Sequence, residues 1–210
     1  MIALRAKNVE FEVTYIDLRD KPDWFLEISP HGKVPVLQVD GKPLFESNAI
    51  AEYLDDVAAP RLHPEDPIKR ARNRAWTDFV PTFAAGLSGI YYTKTEDGNE
   101  KREKVARQRL EKLEEALANE RGNDGPFFNG PRISLVDAAY APFLQRFLIV
   151  DQWLATGLLD DYPLVNAWAG ALIESDVVKG SVPDIFYEEF ISNLKRGGFL
   201  VAQLLESSAG

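Results

Sequence analysis

The sequence contains no cysteine in 210 residues. That excludes disulfides, thiolate metal sites and a cysteine nucleophile among these residues. Histidine is nearly as scarce, and His31 and His63 stand too far apart to form a metal-ligand spacing, so no metal is expected. No apolar run approaches the roughly 18–20 residues that span a bilayer. No charged start followed by an apolar core marks a secretory signal. A membrane partner is therefore not expected, and a cytoplasmic location is the default. Cationic excess is missing too: 24 Lys and Arg face 33 Asp and Glu, a formal charge of -9 with a sequence pI near 4.8. So acidic a surface repels phosphate backbones, which argues against a nucleic-acid partner. No internal repeat is visible.

What is present has the composition of an ordinary globular protein, 45% hydrophobic and 27% charged. The length suits one large domain or two small ones. Texture changes near Val57. Before it, strand and helix signals mix. Phe11, Val13 and Tyr15 alternate with Glu12, Thr14 and Ile16, which reads as a strand ending near Leu18. Pro22 to Ile28 reads as a short helix with proline in its first turn. Two short apolar runs, Val36 to Val39 and Pro43 to Phe45, flank Asp40-Gly41-Lys42. An Asp-Gly in that place predicts a hairpin, because both residues tolerate the positive φ of tight turns. A second helix is predicted from Ser47 to Leu54, with Ile50, Tyr53 and Leu54 on one face. The opening Ile2 to Lys7 reads as the back half of a helix, since no capping residue precedes it.

Residues 58–66, rich in proline, read as a linker, and residues 67–210 read as helical almost throughout. Thr95 to Asn99, holding Asp97-Gly98, is expected to be a loop. After it Ala106, Leu110, Leu113 and Leu117 fall at i, i+4, i+7 and i+11, which predicts a helix that buries one stripe. Asn123-Asp124-Gly125-Pro126 is another break. Trp168, Leu172 and Ile173 predict a further helix, and Ile185 to Leu205 the last ones. A small α/β unit over 1–57 followed by an all-helical unit is the expected architecture.

Three stretches bear on chemistry. Gly32-Lys33-Val34-Pro35-Val36 puts a proline directly before a strand. A cis bond there would turn the Val34 backbone N–H and C=O outward toward a ligand, whereas a plain X-Pro at a strand start is common. Glu46-Ser47-Asn48 opens the second helix. A Ser47 hydroxyl beside free backbone N–H groups suits a carboxylate, and Glu46 suits an ammonium, so the pair matches the α-amino-acid end of a peptide. The plainer reading has Ser47 cap the helix. Ser134-Leu135-Val136-Asp137, before an apolar run, predicts a capping box of structural rather than catalytic value.

Lys33-Val34-Pro35-Val36, the Asp40-Gly41 hairpin, Glu46-Ser47-Asn48-Ala49-Ile50 and Ser134-Leu135-Val136-Asp137 together resemble the glutathione transferase superfamily, in its order and spacing. Lys21-Pro22-Asp23-Trp24-Phe25 running into Ser29-Pro30-His31-Gly32 resembles its omega class. The resemblance implies a thioredoxin-like N-terminal domain, here without its first strand, then an all-helical C-terminal domain, usually in a homodimer. It implies glutathione as co-substrate. The Val34 main chain next to Pro35 would bond its cysteinyl backbone, Glu46 and Ser47 would hold its γ-glutamyl end, and Lys21 would reach its glycyl carboxylate. His31 and Lys33 are rim candidates. A small electrophilic or disulfide substrate would lie against Trp76, Phe79, Phe83, Tyr91 and Tyr92, although aromatics at helical spacing more often form core. Omega-like members carry their nucleophile at the start of the first helix, a position the resemblance places upstream of Met1. No catalytic residue is therefore expected within this sequence. A glutathione transferase or thiol transferase of the dehydroascorbate reductase kind is implied, with weak turnover by these residues. The alternative is a non-catalytic binding or assembly module built on the same fold.

Overall fold

A computed structural model describes residues 1–207. The chain divides into two compact units, one running from Met1 to His63 and the other beginning at Pro64. The first holds the helices α1 (Ile2–Ala6), α2 (Asp23–Ile28) and α3 (Ser47–Val57) and the strands β1 (Val36–Val39) and β2 (Lys42–Phe45). The strands pair antiparallel with Val36 opposite Phe45 and Val39 opposite Lys42. Asp40 and Gly41 both take positive φ, +49° and +76°, which is what a two-residue type I′ connection demands. The predicted hairpin is present with its predicted turn.

The strand expected to end near Leu18 is not formed. Residues 9–17 carry no ladder hydrogen bonds, and Val13, Tyr15 and Leu18 are exposed. Alternation specifies a strand only when one face is buried and a neighbouring edge accepts its backbone. Among the described residues, neither condition is met here.

A buried ionic knot holds the first unit together. The Lys7 ammonium, wholly shielded from solvent, donates to Asp55 Oδ1 at 2.8 Å, to the Ala58 carbonyl at 2.7 Å and to the Pro60 carbonyl at 2.8 Å. Asp55 also accepts the backbone N–H of Leu62 at 2.6 Å and of His63 at 3.2 Å. Burial pushes the Asp55 carboxyl up, but the Leu62 N–H, the Lys7 ammonium and the His63 N–H outweigh it and hold the group below the usual carboxylate range. His63 Nε2 lies 2.7 Å from Glu52 Oε1. One end of α1, one face of α3 and the chain leaving α3 are thereby fixed at a single point.

The second unit holds α4 (Pro67–Tyr91), α5 (Glu96–Asn119), α6 (Leu135–Leu154), α7 (Pro163–Glu174), α8 (Asp176–Lys179), α9 (Phe186–Gly197) and α10 (Leu200–Ser207). Helix α4 packs on both α5 and α6. The α5 stripe of Ala106, Leu110, Leu113 and Leu117 is buried as its spacing predicts. The loop expected over Thr95 to Asn99 is instead the start of α5. Thr95 caps it by accepting the Gly98 N–H at 3.1 Å, with Glu96 and Asp97 in the first turn. A hydroxyl cap and acids at the positive end of the helix outweigh the turn preference of Asp-Gly.

Ser134 and Asp137 form the predicted capping box at the start of α6. Asp137 does more than cap. Fully buried, it also accepts the Phe128 N–H at 2.9 Å and the Trp168 indole N–H at 2.6 Å, joining the 123–133 loop, α6 and α7. Phe83 and Tyr91, expected to face a second substrate, lie in the core of this unit, 0% and 2% exposed. Phe83 packs on Tyr140 and Tyr91 on Phe190. Helical spacing carried both to the inward face of α4. Trp76 and Phe79 are half-buried, and Tyr92 is exposed. Among the described residues no helix is long and apolar enough to cross a membrane.

Candidate functional site

The first unit carries a small, open, mixed polar and apolar cleft between the turn after α2 and the start of α3. Its floor follows from local backbone chemistry. Helix α2 ends at Ser29, and Gly32 takes φ +57°, a left-handed conformation open to glycine, so that the chain reverses. The Val34–Pro35 peptide bond is cis. Strand β1 then carries the chain away, and β2 brings it back at Phe45.

The opposite wall is the start of α3. Glu46 is the residue before its first turn and takes φ +66°, ψ +118°. A glutamate with positive φ is strained by about 1–3 kcal/mol, and such strain clusters where a side chain or backbone must be aimed at a ligand. Ser47 is the first helical residue, so the plainer reading of its role is not realised: no side chain caps α3. Among the described residues, no hydrogen bond or ion pair engages the Ser47 hydroxyl or the Glu46 carboxylate. Both groups are exposed at the cleft, near the positive end of the α3 dipole.

Val34, Pro35, Glu46, Ser47, His31 and Lys33, expected at or beside one groove, all line this cleft. Lys21 does not line it. Its ammonium reaches the Gly32 turn instead, 3.9 Å from where a Cβ on that glycine would stand. Two lining residues were not foreseen in this role, Ser29 and Phe45. Phe45 meets the His31 imidazole edge to face at 5.5 Å between ring centres. Its position at the end of β2, one residue before Glu46, was the available signal. The cleft thus offers a cation at Lys33, an anion at Glu46, a hydroxyl at Ser47 and a main-chain segment at Val34, with an aromatic rim. That set matches a small zwitterionic peptide better than an apolar molecule.

A two-stranded α/β unit with a polar-lined cleft, followed in the chain by an all-helical unit, defines a two-domain protein of the thioredoxin-like and helical kind. The comparisons with known proteins agree. Residues 1–57 match the model of the glutathione S-transferase N-terminal domain, and residues 69–171 that of the C-terminal domain. The maize protein "Glutathione transferase GST 23" is 33% identical over 187 residues, which cover 87% of this chain and 82% of the relative. Rat "Glutathione S-transferase omega-1" is 28% identical over 195 residues, covering 91% and 78%. A Tau class glutathione S-transferase from mango superposes with a TM-score of 0.80 at 26% identity, over 93% of this chain and 90% of that one. The chain belongs to the glutathione S-transferase family. Similarity runs to both omega and tau members, so it establishes the family and not the class.

Proposed function

We propose that this protein is a glutathione-binding transferase or thiol transferase of omega-like character that takes glutathione in the cleft of its first unit. The family makes glutathione its co-substrate. In this reading the Val34 main chain beside Pro35 pairs with the cysteinyl backbone. Glu46 and the start of α3 at Ser47 hold the γ-glutamyl ammonium and carboxylate, and Lys21 approaches the glycyl carboxylate across the Gly32 turn. His31 and Lys33 form the rim. The observation that carries the reading is the strained, unpaired Glu46 beside an unpaired Ser47 hydroxyl at a helix start. A charged pair of that kind left without protein partners fits a ligand with both charges on one carbon.

The second substrate in this proposal is a small electrophile or disulfide, and the working form is a cytoplasmic homodimer, both carried by family membership. Turnover by these residues is weak, because no cysteine is present and the Ser29 hydroxyl is committed to the backbone of Lys33. Ser47 has neither a histidine nor a lysine beside it in sequence to act as its base. Isothermal titration of the protein with glutathione tests the reading. Saturable heat with a one-to-one stoichiometry supports it, and no heat at millimolar ligand ends it.

A further inference from the structure

Ser29 is 4% exposed and carries the one hydroxyl facing the cleft that is fully engaged by the protein. It accepts the backbone N–H of Lys33 at 3.0 Å and donates its own proton to the backbone C=O of the same residue, also at 3.0 Å. A serine hydroxyl offers one donor and two acceptor lone pairs, so a single oxygen satisfies both main-chain groups of one residue. Two further bonds secure the serine itself. Its N–H donates to the Phe25 carbonyl at 2.9 Å, and its C=O accepts the Gly32 N–H at 3.0 Å. The last turn of α2, the left-handed Gly32 and Lys33 are therefore tied to one side chain.

The geometry points to Ser29 as a positioning residue for the ligand cleft, acting through Lys33 on Val34. It does not touch the ligand's reacting atoms and is no nucleophile. Its part follows from hydrogen-bond accounting. With the N–H and C=O of Lys33 both satisfied by one buried serine, that residue cannot rotate its peptide planes without losing two part-buried bonds. Next in the chain is Val34, which is 48% exposed at the cleft. The Lys33 C=O and the Val34 N–H share one planar peptide unit, so fixing that carbonyl fixes the direction in which the Val34 N–H is presented. A ligand that reads that main chain then meets it already oriented, with less ordering left to be done on binding. A loop held this way binds tightly for the same contacts.

This inference rests on the proposed glutathione reading, and the test separates the two. Glutathione is titrated calorimetrically into the wild-type chain, Ser29→Ala and Ser29→Thr, with amide hydrogen exchange followed over residues 29–36. Urea midpoints record the folding of each. The expected result is a dissociation constant raised about tenfold in Ser29→Ala, faster exchange at the Lys33 amide, and restoration of both by Ser29→Thr, which keeps the hydroxyl. Unchanged binding in Ser29→Ala beside a wild type that binds would overturn the positioning role and leave the glutathione reading intact. Should the urea midpoint drop while affinity and Lys33 exchange stay at wild-type values, Ser29 serves stability alone and the inference fails. A wild-type chain that binds no glutathione removes both ideas together. If the extra methyl in Ser29→Thr lowers the midpoint, Ser29→Ala still decides through affinity and exchange.

Discussion

Replacing Lys7 by methionine keeps a long unbranched side chain and deletes its charge. In the native protein the Lys7 ammonium lies wholly out of solvent and meets Asp55, the Ala58 carbonyl and the Pro60 carbonyl at 2.7–2.8 Å. Removing it strands a carboxylate that is 5% exposed. Breaking a buried pair from one side costs about 3–5 kcal/mol, because the remaining charge stays desolvated without its partner. Asp55 keeps the Leu62 and His63 N–H groups, which places the loss at the lower end, about 3 kcal/mol. Total stability for a protein of this kind is about 5–15 kcal/mol, so the variant should be markedly less stable yet folded. Urea unfolding followed by circular dichroism reads the effect. With a slope of about 2–3 kcal/mol per molar, the midpoint should fall by about 1 M or more. Acid gives an independent check with a defined sign. The folded Asp55 carboxyl is held below its ordinary 3.8, so its stabilisation is complete above that value and is lost as pH falls through the lower, folded one. Without Lys7 that depression shrinks, and the gap between variant and wild type should narrow below about pH 4. A loss under about 1 kcal/mol at pH 7, with no narrowing in acid, would refute the claim that this pair holds the unit together.

Three other substitutions test separate parts of the structure. Ser47→Ala should weaken glutathione binding by about 1–3 kcal/mol through the loss of one hydrogen bond to a charged group; an unchanged dissociation constant rejects its placement at the γ-glutamyl end. Asp137→Ala leaves the Phe128 N–H, the Ser134 N–H and the Trp168 indole N–H without their acceptor, and should cost at least about 3 kcal/mol in a thermal or urea melt. A loss below about 1 kcal/mol would show that water takes over the three donors. Gly125→Ala would set a Cβ 2.4 Å from the backbone carbon of Gly130, where no flexible side chain can give way. It should destabilise by about 1–3 kcal/mol or more, and a neutral melt would mean the 123–130 loop rearranges freely.

Local signals carried much of the fold. The Asp40-Gly41 turn, the α5 stripe at Ala106, Leu110, Leu113 and Leu117, and the Ser134–Asp137 box depend on residues within three or four positions of each other. Their physics is complete inside the segment, so the sequence alone determined them. The polar lining at Val34, Glu46 and Ser47 was legible for a related reason, since each sits at a strand or helix start whose geometry is local.

Tertiary structure decided the rest. Residues 9–17 alternate like a strand, yet a strand exists only with a partner edge, and that lies outside the segment's own pattern. The apolar spacing of Phe83 and Tyr91 fits a core and a ligand wall equally; only the packing of Tyr140 and Phe190 against them made them core. Lys7 and Asp55 are 48 residues apart, and nothing near either announces a buried pair. The placement of the Lys21 ammonium at the Gly32 turn, outside the residues that line the cleft, is likewise a matter of where the folded surface leaves room for a long flexible side chain. Periodicity and turn chemistry act over a few residues, whereas burial and pairing depend on which distant surfaces meet, and that the folded chain alone settles.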